Sequence, residues 1–222
     1  MFDRIARRYD LMNALMTWGQ DQAWRRQAAR LARPEAGGLA LDVATGTGDL
    51  ACALLHETPV GGVVGVDFSE AMLALGLAKA KRQGLEDRLS FVVGDALALP
   101  FPDGTFACVT SAFLLRNLTD LDRGLREMTR VTRPGGRVVA LETSQPTLPG
   151  FRSLFALYFH QFVPRLGGLV SGDRDAYRYL PRTAEGFLGP DDLTRVMNAA
   201  GLREVAYDRL ALGTVAIHVG TA

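Results

Sequence analysis

From residue 38 onward the chain alternates short apolar runs, rich in Val, Phe and Thr, with segments whose apolar residues recur at three and four positions. The runs are GLALDVA (38–44), GGVVGVDF (61–68), RLSFVVGD (88–95), TFACVTSAF (105–113) and GRVVALETS (136–144), and they read as strands. The clearest helical segment is 118–131, where Leu118, Leu121, Leu125, Met128 and Val131 share a face. Thr119 or Asp120 can cap its start, and RPGG (133–136) reads as its end. Strands alternating with helices imply right-handed crossovers and a parallel sheet covered on both faces. Two further runs, LREVAYDRL (202–210) and GTVAIHVG (213–220), lie too close together for a crossover and must pair antiparallel. The pattern therefore predicts an α/β fold with seven strands, the last reversed. Two N-terminal helices precede the sheet, over about residues 3–33 with a turn near Trp18–Gly19. A helical, aromatic-rich insertion over 149–189 follows the fifth strand. No linker divides the chain, so 1–222 reads as one domain.

Composition adds limits. The 222 residues carry 25 Lys+Arg against 24 Asp+Glu, which gives no general case for a nucleic-acid partner. Seven arginines (4, 7, 8, 25, 26, 30, 33) crowd the first 34 residues, either as solvated helix faces or as a surface meeting an anionic membrane. Cys52 and Cys108 sit in apolar runs and read as small buried hydrophobes of a reducing compartment. The charged N-terminus does not read as a signal peptide, and no apolar stretch is long enough to span a membrane, so the expectation is a soluble, cytoplasmic protein.

The stretch LDVATGTGDLA (41–51) carries the chemistry. Gly46, Gly48 and Ala51 fit the G-x-G-x-x-G/A loop between a strand and a helix, and Asp67 ends the next strand, where it can accept from ribose hydroxyls. These residues alone serve NAD, S-adenosylmethionine or a merely tight structural turn equally well. Three others favour S-adenosylmethionine. Asp42, four residues before Gly46, would repel a pyrophosphate and attract the cationic amine of a methionine moiety. Asp95 ends the third strand, where its carboxylate can accept from an adenine amine while Ala96 N–H donates to the ring. The reversed last strand is not what a second mononucleotide-binding half supplies.

Longer motifs bear a resemblance. YDLMNALM (9–16) with Trp24, AFLLRNLTD (112–120), RVTRPGGRVVALETS (130–144) and AYRYLPRTAEGF (176–187) are similar, in order, to segments of the UbiE/MenG family of quinone C-methyltransferases. The resemblance covers nearly the whole chain. It implies a class I methyltransferase, Rossmann-like fold, S-adenosylmethionine as cofactor and a prenylated quinol as acceptor. Carried over, the family's cofactor positions fall on Thr47, Asp67, Asp95 and Ala96. Thr17, Asp21, Thr132, Arg133, Thr183 and Leu188 depart from the usual residues, and Ala112 stands where some members carry a cofactor-contacting Ser.

The chemistry then asks for a base, a group that stabilises a quinolate, and exclusion of water; it asks for no metal. Arg116 and Asn117, past the fourth strand, are candidates for the quinolate partner and for orienting a hydroxyl. Tyr9 and Asp10 lie on a helix (1–35 with its neighbour) expected to act as a lid, with Asp10 a candidate base if burial raises its pKa. His160, among Phe155, Phe159 and Phe162, is the other candidate base. Phe151, Leu154, Phe155, Tyr158, Phe159 and Phe162, followed by Tyr177 and Tyr179, would wall an acceptor pocket open to a bilayer. The favoured acceptor is demethylmenaquinol. A 2-methoxy-6-polyprenyl-benzoquinol, a non-catalytic S-adenosylmethionine-binding partner and, more remotely, an NAD oxidoreductase are the alternatives. A peripheral site at the inner face of the membrane and a homodimer are the open options for assembly.

Overall fold

The computed structural model describes residues 2–146, 148, 150, 151, 155, 157, 158, 161, 163, 183, 184 and 186–222, with the side chains of 2–9 outside what is described. His160, Leu154, Phe159, Phe162, Tyr177 and Tyr179 therefore fall outside the described residues, as does the side chain of Tyr9.

Seven strands form one sheet: β1 (Leu39–Val43), β2 (Gly62–Asp67), β3 (Leu89–Val93), β4 (Phe106–Ala112), β5 (Thr132–Thr143), β6 (Arg203–Leu210) and β7 (Val215–Thr221). Their spatial order is β3-β2-β1-β4-β5-β7-β6. The first five are parallel, and β7 runs antiparallel to both β5 and β6, so the short 210–215 connection does form the expected hairpin. β1 is buried nearly throughout, which is why it reads as a continuous apolar run rather than an alternating one. β3 and β6 are the edge strands, and β6 alternates.

The helices among the described residues are α1 (Phe2–Thr17), α2 (Gln20–Ala32), α3 (Asp49–Glu57), α4 (Glu70–Arg82), α5 (Leu121–Val131) and α6 (Pro190–Ala199). Ala28 and Ala29 of α2 pack with Leu50 and Leu54 of α3 into one core cluster with Val139, Leu141 and Ile217 of the sheet. The other cluster joins Leu125 and Met128 of α5 to Leu193 and Met197 of α6 over Leu41, Val43 and Val109. α5 begins at Leu121 and not at Leu118, because Asp120 takes the cap: its Oδ1 accepts Arg123 N at 3.0 Å, while residues 115–117 make a separate 3₁₀ turn. The RPGG stretch lies inside β5 rather than in a loop, since Gly135 N donates to Ala222 O and Ala222 N to Gly136 O. Thr132 ends α5 by turning its hydroxyl back onto Met128 O at 2.6 Å. Among the described residues no helix is long and apolar enough to cross a membrane. Cys52 and Cys108 are buried free thiols.

Candidate functional site

The site lies at the carboxyl ends of β1, β2 and β4, where an open α/β sheet binds its ligands. After β1 the chain must turn sharply into α3. Gly46 (φ 57°) and Gly48 (φ 80°) take up left-handed backbone there, a region that favours glycine. Gly65 on β2 has a different reason to be glycine: an added Cβ would stand 2.8 Å from Thr45 Cγ2. The loop is then pinned from the next strand. Thr45 N donates to Val66 O at 2.9 Å, and Gly46 N donates to Asp67 Oδ2 at 2.8 Å.

Each aspartate proposed from the sequence has found donors of its own. Asp42 is 1% exposed and accepts from the Thr45 hydroxyl at 2.7 Å and the Thr110 hydroxyl at 2.9 Å. Burial, only partly offset by these hydroxyls and by Arg25, pushes its carboxyl up to about 6. Asp67, also buried, spans the gap between loops: besides Gly46 N it accepts Ser69 N at 2.9 Å, and Ser69 in turn caps α4. Asp95 is exposed and makes a turn, accepting Leu97 N at 2.9 Å, with Gly94 N bonded to Asp67 O beside it. Ala96 is partly buried against the core cluster beneath α5 and α6.

The N-terminal helix reaches the same loop. Thr47, itself buried, donates its hydroxyl to Asp10 Oδ1 at 2.7 Å, and Lys79 of α4 donates to Asp10 Oδ2 at 2.7 Å, to Thr47 Oγ1 at 3.0 Å and to Asp49. Burial pulls the Lys79 pKa down, but Asp49 and Asp10 outweigh it and hold the ammonium above its ordinary value. Asp10 thus has both oxygens committed to a tie between α1 and the glycine loop. Among the described residues its ion-pair partner is a lysine from 69 residues away.

At the end of β4 the geometry differs. Arg116 is paired with Glu142 of β5, and its backbone N also donates to Glu142 Oε2 at 3.3 Å. Both side chains are buried, Glu142 to 1% exposure. Arg116 stands 5.5 Å over the Phe113 ring, and its Nε has no partner among the described residues. Asn117 donates to Phe113 O at 3.0 Å, leaving its Oδ1 buried and equally unpartnered. Sequence reasoning found Arg116 and Asn117 but passed over Glu142, although a carboxylate inside the apolar run RVVALETS was the available signal. It also passed over Lys79, and it gathered Arg25, here buried, with the other N-terminal arginines.

These pieces fit a sulfonium nucleoside with an amino-acid end: a glycine turn that admits a ligand close to backbone, carboxylates on both sides, and no requirement for metal in the donor set. Among the described residues no group of three His, Cys, Asp or Glu could hold a metal ion.

The model of the ubiE/COQ5 methyltransferase family matches residues 1–222. A demethylmenaquinone methyltransferase of Thermus thermophilus is 50% identical over 220 residues, covering 99% of each chain. Another, from Deinococcus radiodurans, is 46% identical and covers 99% of this chain and 90% of that one. A ubiquinone/menaquinone biosynthesis C-methyltransferase of Geobacter sulfurreducens is 42% identical over 99% of this chain and 86% of its own. In fold the chain is similar to a SAM-dependent methyltransferase of Thermotoga maritima, a possible histamine N-methyltransferase. The TM-score is 0.69 at 18% identity, over 99% of this chain and 97% of that one. A putative S-adenosyl-L-methionine-dependent methyltransferase of Methanococcus maripaludis gives 0.67 at 17% identity, over 100% and 94%.

Proposed function

The chain belongs to the ubiE/COQ5 methyltransferase family, and from that membership we propose that it is an S-adenosylmethionine-dependent C-methyltransferase converting demethylmenaquinol to menaquinol. The observation that carries this reading is full-length similarity, at 50% and 46% identity, to relatives named demethylmenaquinone methyltransferase. A second reading, methylation of a benzoquinol of ubiquinone synthesis, is kept by the Geobacter relative, whose name covers both pathways.

The cofactor supplies an already activated methyl group, so the chain's own task is to place a ring carbon in line with it and to exclude water. Asp42, Thr47, Asp67, Asp95 and Ala96, with Gly46 and Gly48, are the residues we assign to holding it. A base has to take a hydroxyl proton, and His160 is the candidate the sequence offers for it. The ring carbon then becomes nucleophilic, with charge left on oxygen until that carbon gives up its own proton after methyl transfer. Arg116 is the group for that charge: a guanidinium keeps its proton, and Glu142 fixes its position. With its oxygens tied to Thr47 and Lys79, Asp10 serves better as a strut of the lid than as the base.

A lipid acceptor also accounts for surface that a small-molecule enzyme does not need. Leu11 and Leu15 of α1 and Trp18 at its end are exposed, Trp18 to 82%. Tyr158 donates to Met16 O at 3.1 Å, which sets that residue beside the end of α1. We assign this surface to peripheral contact with the membrane that holds the prenyl tail.

One assay panel tests both parts. Methyl transfer from labelled S-adenosylmethionine is measured with short-tailed naphthoquinol and benzoquinol in detergent, and with long-tailed naphthoquinol in anionic liposomes. The expected result is at least tenfold preference for the naphthoquinol. Leu15→Ser/Trp18→Ser should lose activity only on liposomes. Benzoquinol preference would install the second reading, and equal loss in both formats would remove the membrane assignment.

A further inference from the structure

Arg25 on α2 is a buried cation with poor compensation. It is 5% exposed, and its Nη1 reaches Asp21 Oδ2 only at 3.3 Å and Asp21 O at 3.5 Å. Its Nε and Nη2 donate to no described residue, and the guanidinium carbon lies 5.5 Å from the Phe113 ring centroid. Burying a guanidinium is costly unless its donors are met with good geometry, and one long ion pair does not meet them. The same side chain lines a narrow cleft with Asp42, Thr45, Gly46 and Ala112, a space of about 30 Å³. A polar cleft of that size has room for small polar or charged groups.

The cleft therefore has a cation on one wall and two carboxylates among its other lining groups, Asp42 and Asp49, of which Asp49 is already paired with Lys79. Opposite charges in one small cleft complement a zwitterion, and the only zwitterionic part of S-adenosylmethionine is its α-amino-acid end. Asp42 accounts for the ammonium and leaves the carboxylate without a partner. A guanidinium is the side chain best shaped for that group, since its parallel N–H donors can bond both oxygens.

We propose that Arg25 binds the carboxylate of the methionine moiety of S-adenosylmethionine, which makes α2 a wall of the cofactor site. The inference rests on the cofactor reading above and adds a binding residue to it. It also gives the inward-turned arginine of α2 a task that its neighbours Arg26 and Arg30, which are exposed, do not share.

The matched pair S-adenosylmethionine and decarboxylated S-adenosylmethionine isolates this contact, because they differ by the carboxylate alone. Binding of each, and of 5′-methylthioadenosine, is measured by calorimetry on the wild type, Arg25→Met and Arg25→Lys. Arg25→Met should weaken S-adenosylmethionine about 10- to 100-fold, as loss of a charge-assisted hydrogen bond predicts. It should leave the decarboxylated ligand and methylthioadenosine within about threefold, and Arg25→Lys should fall between. Equal weakening of all three ligands would make Arg25 a packing residue only, and unchanged affinity for S-adenosylmethionine would place the carboxylate elsewhere; either overturns the proposal. A wild type that binds none of the three would instead overturn the cofactor reading beneath it.

Discussion

At the ends of β1 and β2, Arg25 apart, the polar groups described above find partners within the chain. Asp42 accepts two threonine hydroxyls, Asp67 accepts two backbone N–H groups, and Asp10, Thr47 and Lys79 close a ring of contacts. Past the ends of β4 and β5 it does not: Arg116 Nε and Asn117 Oδ1 are buried without partners among the described residues. Buried polar groups are rarely left that way, because each costs about 1–3 kcal/mol. The first region is a preformed holder whose groups keep each other in place before any ligand arrives. On the function proposed above, the partners of the second come with the acceptor molecule. That proposal then assigns affinity for the cofactor to one edge and turnover to the other.

The sharpest way to break that division is at Arg116. Arg116→Ala should lower turnover about 10²- to 10³-fold, the loss expected when one donor to a developing oxyanion is removed. S-adenosylhomocysteine affinity should stay within about threefold. Because the single variant leaves Glu142 buried and uncompensated, it can also lose stability. Arg116→Ala/Glu142→Ala removes both charges and restores the fold while remaining slow. Should cofactor affinity fall in step with turnover in the double variant, the two edges act as one site.

The holder can be tested through its own cost. Asp42 has its pKa raised from 3.8 to about 6. A folded-state pKa above the unfolded one means that the folded state binds the proton more tightly. The resulting stability is present in full below about pH 4 and is lost as pH rises through about 6. The loss amounts to about 3 kcal/mol at most, at 1.36 kcal/mol per pKa unit. Asp42→Asn keeps the shape, and the threonine hydroxyls can turn to serve the amide. In denaturant titrations its stability relative to the wild type should therefore improve between pH 4.5 and 7, then level, while cofactor binding weakens. A pH-independent difference would show that the carboxylate is not strained by burial, and the holder would then be no more preorganised than the acceptor edge.

How much of this could be read from the chain follows the range of the interactions. Strand alternation, the β6–β7 hairpin and the glycine turn depend on near neighbours, and the pattern at 38–220 shows them. The cap of α5 was legible as a choice between Thr119 and Asp120, and hydrogen-bond geometry selects Asp120. The ring around Lys79 joins residues 30 and 69 positions apart, so nothing local marks that lysine among the basic residues closing α4. Arg25 is hidden for a related reason: charge runs on helices usually face solvent, and only packing against Phe113 and the sheet turns this one inward. Glu142 is the residue whose signal was present, since a carboxylate flanked by VVAL on a central strand must find a cation.

The smallest effect belongs to the ring itself, and it bears on where the holder ends. Lys79 is 14% exposed, but Asp10 is 42% exposed, so solvent screens their attraction and the pair is worth about 1 kcal/mol at most. Lys79→Met should weaken S-adenosylhomocysteine roughly three- to fivefold, because Thr47 and Asp49 lose the cation that fixes them. The larger readout is α1. With Asp10 no longer held, limited proteolysis within residues 2–17 should speed up in the variant, and S-adenosylhomocysteine should no longer slow it. Lys79→Arg, which keeps the charge, should restore most of that protection. If α1 stays equally resistant in Lys79→Met, the helix is held by its other contacts, and the preformed holder stops at the glycine loop instead of extending to the lid.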